Sequence, residues 1–104
     1  MRLSKAELFG TREVELAEFA GALSHPARIA IVTMLMRADE LCCGDIVEEL
    51  PLAQATVSQH LKALEKAGLL AVRPDGVCMR YRLVREKLQS FCHAFQETLG
   101  TTNH

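Results

Sequence analysis

The stretch Gln54-Ala55-Thr56-Val57-Ser58-Gln59-His60-Leu61-Lys62-Ala63-Leu64-Glu65-Lys66-Ala67 constrains this chain more than any other. Apolar Val57, Leu61 and Leu64 recur four and three residues apart, the spacing of a one-sided helical stripe. The opposite side is polar, with Thr56, Ser58, Gln59, His60, Lys62 and Glu65. Gly68 follows in the place of a left-handed cap, so the pattern predicts a helix over about 54–67. Such a helix docks on its own domain by one face and offers small, hydrogen-bonding groups on the other. Entry into the major groove of duplex DNA requires that division.

The flanks are consistent with it. Leu69–Arg73 reads as a strand, Pro74-Asp75-Gly76 as a turn and Val77–Leu83 as the return strand. Arg80 and Arg82 alternate against Met79, Tyr81 and Leu83, which puts both arginines on one face. Upstream, a short helix is expected from about Gly44 to Leu50, with Asp45 near its positive end and Pro51 stopping it. Ser4-Lys5-Ala6-Glu7 has the form of a capping box with Ser4 as cap. A mostly helical apolar period follows from Leu8 to Leu23, with a break near Gly10. Ser24-His25-Pro26 is a second start signal, Ser24 as cap and Pro26 in the first turn. Ile29, Ile31, Val32, Leu35 and Met36 make that helix apolar nearly all round, hence central. A last helix over 85–99 has a stripe of Leu88, Phe91, Cys92, Phe95 and Leu99, and 100–104 reads as a frayed tail. The expected fold is mainly α with a small β-hairpin: a winged helix-turn-helix in a single domain over 1–104. Residues 44–50 and 54–67 form the helix-turn-helix, 69–83 the wing and 85–99 a dimerisation helix.

A chain of 104 residues builds one small core, so a dimer interface is a reasonable expectation. Its net charge of −1 argues mildly against nucleic acid until the charges are located. From Ala53 to Arg82, Lys62, Lys66, Arg73, Arg80 and Arg82 oppose only Glu65 and Asp75, which leaves +3 there and −4 on the remainder. Gln54, Thr56, Ser58, Gln59 and His60, with Lys62 beside them, are the candidates for meeting DNA from the helix. Arg73, Arg80 and Arg82 are placed for phosphates from the wing. Apolar runs such as Ile29–Leu35 are far too short to span a bilayer, and Met1–Thr11 lacks a signal-peptide core, so a cytoplasmic protein with no membrane partner is expected. No Gly-rich phosphate loop or paired-carboxylate motif appears. The one base beside a thiol is His93 next to Cys92, and adjacent helical residues point apart. An enzyme is therefore not expected, nor an organic cofactor.

The segments Ala22-Leu23-Ser24-His25-Pro26-Ala27-Arg28, Asp45-Ile46-Val47-Glu48-Glu49-Leu50, Gln54 through Leu70, and Gly76 through Leu83 resemble the ArsR/SmtB family of bacterial repressors. The resemblance runs from roughly Leu16 to Leu99. It implies a homodimer paired through its first and last helices, bound to double-stranded operator DNA and released by an inducer. It also implies recognition contacts at Gln54, Thr56, Ser58, Gln59 and His60, and wing contacts at Arg80 and Arg82.

The four cysteines, Cys42, Cys43, Cys78 and Cys92, form no C-x-x-C pair and read as reduced thiols, metal ligands or redox sensors. Arsenic and antimony sensors of the family carry Cys-Val-Cys-Asp or Cys-Val-Cys-Gly-Asp before the recognition helix. Here the segment is Leu41-Cys42-Cys43-Gly44-Asp45, with the two thiols adjacent rather than spaced by one. As(III) or Sb(III) favours soft thiolates, three for As(III). Cys42 and Cys43 supply two, and Cys92 is placed slightly ahead of Cys78 as the third, because Val77 and Met79 around Cys78 suggest hairpin filler. Zinc, nickel and cobalt sensors of the family carry Asp-x-His and later His/Glu ligands on the last helix. Here Arg85, Lys87 and Thr98 occupy those places, which argues against that site. The rival readings are a thiol redox or polysulfide-sensing repressor and, from another class, a small cysteine-containing interaction domain that does not bind DNA.

Overall fold

The computed structural model describes residues 5–100. The proposed Ser4 cap and the tail beyond Gly100 lie outside them. In chain order the elements are α1 (Lys5–Leu8), α2 (Thr11–Ala22), α3 (Pro26–Met36), β1 (Leu41–Cys42), α4 (Cys43–Glu49), α5 (Gln54–Lys66), β2 (Leu70–Asp75), β3 (Cys78–Leu83) and α6 (Arg85–Leu99).

Local chemistry sets the boundaries. Gly10 separates α1 from α2, and its N–H donates to the Glu13 carboxylate at 2.8 Å. The start of α3 corrects one expectation. His25, not Ser24, is the cap, with Nδ1 accepting from the Ala27 N–H at 3.0 Å. The Ser24 hydroxyl donates backward to the Gly21 carbonyl at 2.7 Å, so it closes α2 instead. Arg85 at the head of α6 reaches the Leu35 and Met36 carbonyls at 3.3 and 3.2 Å, satisfying acceptors that the end of α3 leaves open. At the end of α5, Gly68 adopts φ +82°. The Leu69 N–H then reaches the Leu64 carbonyl and the Gly68 N–H the Glu65 carbonyl, at 3.0 and 2.9 Å. This is the paired bonding of a Schellman cap.

The hairpin turn falls one step later than its sequence suggests. Pro74 and Asp75 belong to β2, which lies at a sheet edge where a proline is tolerated, and the connecting residues are Gly76 and Val77. Gly76 has φ +64°, the conformation that a two-residue hairpin loop needs at its first position. The sheet is antiparallel in the order β1-β3-β2. Its third strand, β1, has only two residues, too few for a period to show.

Ile31, Leu35, Ile46, Val57, Leu61, Leu64 and Leu69 are fully buried and form the centre of the core. They come from α3, α4, α5 and the segment leading into the hairpin, so the two helices of the helix-turn-helix are held on α3. Helix α6 contributes no buried residue. Its Phe91 meets Phe19 of α2 with ring centroids 5.0 Å apart, and Arg12 pairs with Glu97 at 3.1 Å. Phe95 and Leu99 stay exposed, as do Leu8 and Phe9. Among the described residues no single helix is long and apolar enough to cross a membrane.

Candidate nucleic-acid interface

Helix α5 divides cleanly. Val57, His60, Leu61 and Leu64 are buried, at offsets of three, four and seven from the first. Gln54, Ala55, Gln59 and Lys62 are exposed, with Thr56 and Ser58 half-buried at the rim. Five of the six expected helix residues, Gln54, Thr56, Ser58, Gln59 and Lys62, are thus outside the buried stripe.

His60 is the correction. It is only 8% exposed and belongs to the packing face. The reason was available in the sequence: position 60 is three after Val57 and four before Leu64, so it falls inside the apolar stripe. Arg28 Nε donates to His60 Nδ1 at 3.1 Å, and the other end of that guanidinium reaches the Gly21 and Ala22 carbonyls at 3.3 Å each. The His25 ring lies over His60 at 4.3 Å between centroids. An Nδ1 that accepts requires the neutral ring with its proton on Nε2. Burial holds the His60 pKa below its ordinary value, and the charges of His25 and Arg28 push it the same way. His60 therefore fastens the end of α2 and the start of α3 to α5. It sits on the packing side of α5 and not among the exposed residues of that helix.

The wing has two unlike faces. Register places Cys42, Arg80 and Arg73 in one row across the sheet, and Leu41, Tyr81 and Val72 in the next. Because side chains alternate, Cys42, Arg73, Asp75, Cys78, Arg80 and Arg82 share one face. Leu41, Leu70, Tyr81 and Leu83 share the other, which turns to the core. On the charged face Arg73 makes a two-point pair with Glu40, both contacts at 2.8 Å. Arg80 pairs with Asp75 at 2.7 Å. Arg82 is exposed and has no ion pair among the described residues. The Arg73 hydrogen bonds hold the Glu40 carboxyl below its usual range, and Arg80 and Arg82 add to this. Arg80 likewise lowers Asp75. The expected wing cations are therefore present, but two of the three already have carboxylate partners that the sequence reading did not assign.

The thiols separate as well. Cys42 caps α4 and is joined to Cys78 of β3, with Cα atoms 5.9 Å apart. Cys43, the next residue, turns to the core side and packs against the buried cluster. Tyr81 lies near enough for the Cys43 charge to raise its pKa, after the larger effect of burial. Cys92 is exposed on α6. The expected grouping of Cys42, Cys43 and Cys92 is not assembled within one chain. Among the described residues no three His, Cys, Asp or Glu side chains are placed to hold a metal ion. Cys78, ranked behind Cys92 from its apolar neighbours, is the thiol brought to Cys42. The pairing of β1 with β3 does this, and β1 was not foreseen.

A polar-faced helix held on a helix-turn-helix, followed by a cation-bearing antiparallel wing, defines a winged helix-turn-helix regulator of transcription. Residues 25–72 match the bacterial regulatory protein, arsR family. The chain is 36% identical over 84 residues to the uncharacterised HTH-type transcriptional regulator YceK of Bacillus subtilis, covering 80% of this chain and 84% of that one. It is 41% identical over 71 residues to the HTH-type transcriptional repressor SmtB of Mycobacterium tuberculosis, covering 68% and 52%. Among solved structures it superposes on an ArsR-like transcriptional regulator from Rhodococcus with a TM-score of 0.72 at 29% identity, covering 82% and 79%. The chain belongs to the ArsR/SmtB family of DNA-binding transcriptional regulators, and it is not an enzyme.

Proposed function

We propose that the protein is a homodimeric repressor that grips operator DNA with α5 and the wing and releases it when a thiophilic inducer, As(III) or Sb(III), binds cysteines at the start of α4. The observation that carries the DNA half is the division of α5. Gln54, Thr56, Ser58, Gln59 and Lys62 lie off the buried stripe, on a helix whose pose is fixed from behind by His60 and Arg28. Gln and Ser side chains donate and accept at base edges, while Arg73, Arg80 and Arg82 serve phosphates. The exposed Phe95 and Leu99 of α6, with Leu8 and Phe9 near the other terminus, support pairing of two copies through the first and last helices.

For the inducer, Cys42 and Cys78 in the reduced state supply two soft thiolates at the first turn of α4. A third comes from Cys43 if that turn unwinds, or from Cys92 of a second copy. Either movement tilts α4 against α5 and spoils the spacing of the two recognition helices in the dimer, which shifts the population away from the DNA-competent form. The test is release of a reduced, operator-bound complex on titration with As(III), Sb(III), Cd(II) or Zn(II). Release by As(III) or Sb(III) that is lost in Cys42→Ser is the expected result. Equal release from the parent and from all four single Cys→Ser variants contradicts the assignment.

A further inference from the structure

An open cleft of about 560 Å³ lies between α2, α3, α5 and α6. That size is within the roughly 300–1,000 Å³ of small-molecule sites. Among the described residues neither a cysteine nor a wing arginine lines it, so it is separate from the thiols at the start of α4. Small residues leave the space. Gly21 and Ala22 end α2, and Ala63 and the cap residue Ala67 line the cleft from α5. The half-buried Phe19 ring adds an apolar surface.

Three cations line the same cleft, Arg28, Lys66 and Lys87, and none has an ion pair among the described residues. Arg28 is half-buried, and its partners are all neutral: His60 Nδ1 at 3.1 Å and the Gly21 and Ala22 carbonyls at 3.3 Å each. Those bonds fix the guanidinium in place and leave its charge without a counter-ion. Lys87 reaches from α6 to the Phe19 ring, with Nζ 5.9 Å from the centroid. Lys66 stands in the last turn of α5. Glu15 and Glu18 line the cleft from α2, so a single net positive charge remains.

We propose that this cleft is a ligand site for a small aromatic monocarboxylate. A partly desolvated cation held only by neutral acceptors gains from an anion, and a guanidinium fork matches a carboxylate. The single net charge suits a monoanion, and Glu15 and Glu18 disfavour a second negative group. Phe19 and the alanines suit a flat ring, which stacks offset on the phenyl group. The carboxylate meets Arg28 and Lys66, and the ring lies by Phe19 with Lys87 at its edge. This assignment is independent of whether the chain binds an operator.

The experiment titrates the reduced full chain with 2-naphthoate, followed by fluorescence anisotropy, and locates the ligand by amide resonance shifts in isotope-labelled protein. Saturable binding with shifts at Ala22, Arg28, Ala63 and Lys66 is expected. 2-Naphthamide keeps the ring without the charge and should bind about tenfold more weakly, the scale of charged hydrogen bonds. Acetate, the charge without the ring, should not compete at equal concentration. Lys66→Gln and Lys87→Gln change exposed side chains and should each weaken binding about threefold, as exposed charge contacts do. Equal binding of 2-naphthoate and 2-naphthamide, shifts confined to other residues, or unchanged affinity in both variants overturns the site. Absence of saturable binding overturns it too, and a loss of dimer mass in Lys87→Gln would then assign the cleft to a second copy of the chain.

Discussion

At the scale of single residues, His60 decides how firmly the recognition helix is held. Its Nδ1 accepts from Arg28, whose guanidinium also binds the last carbonyls of α2, so one imidazole joins three helices. Replacing it with Ala leaves a half-buried guanidinium donor without its partner and should cost about 1–3 kcal/mol of folding stability, measured by urea unfolding. The pH dependence follows from the same burial. The native pKa lies below the ordinary value of about 6.5, so on acidification the unfolded chain takes up a proton before the native one does. Stability from this group is complete above about pH 6.5 and is lost as pH falls toward the lowered native value. The parent should therefore lose more stability than His60→Asn between neutral pH and pH 5; parallel curves would contradict this. That His60 faces inward was legible in its spacing from Val57 and Leu64. Its polarity assigned it to the wrong face, because a buried imidazole depends on a partner, Arg28, that is 32 residues away. The cysteines show the same limit. Cys43 faces the core and Cys42 faces the wing because α4 starts between them, and no property of either residue alone reveals that.

At the scale of elements, the regular pieces were the readable ones. The stripe on α5, the Gly68 cap and the alternation around Arg80 and Arg82 are local patterns, and local patterns survive in a sequence. The two-residue strand β1 has no pattern, yet it brings both Cys42 to Cys78 and Glu40 to the wing. In the proposed complex Glu40 and Asp75 compete with phosphates for Arg73 and Arg80. Exposed pairs of this kind are weak and exchange partners readily. Glu40→Gln should therefore raise duplex affinity across sequences, by releasing Arg73. Arg82→Ala, which removes the wing arginine that has no ion pair among the described residues, should lower affinity uniformly and reduce the salt slope by about one. Titrations of both variants at several salt concentrations check this. A Glu40→Gln protein that binds more weakly would mean that the carboxylate positions Arg73 for DNA and does not withhold it.

At the scale of the whole molecule, an almost neutral chain is organised as a polarised one. Net positive charge lies on α5 and the wing, and the remaining residues balance it. The core gathers α3, α4 and α5 around fully buried Ile31, Leu35, Ile46, Leu61 and Leu64, which packs the two helices of the helix-turn-helix on α3. Helix α6 is left with apolar side chains in the open, as one half of an interface would be. In the proposed dimer two such units present paired recognition helices to half-sites about one helical turn apart. The central claim is sequence-selective grip on duplex DNA through the exposed side of α5. The most direct measurement is a titration of the reduced full chain against a duplex enriched from a random pool, with parent and Gln59→Ala compared at several salt concentrations. The account predicts two chains per duplex, affinity that falls steeply with salt, and a loss of about 1–3 kcal/mol of discrimination in Gln59→Ala. Absent binding at low salt, or binding equally tight to the enriched and scrambled duplexes and unchanged by Gln59→Ala, would contradict it.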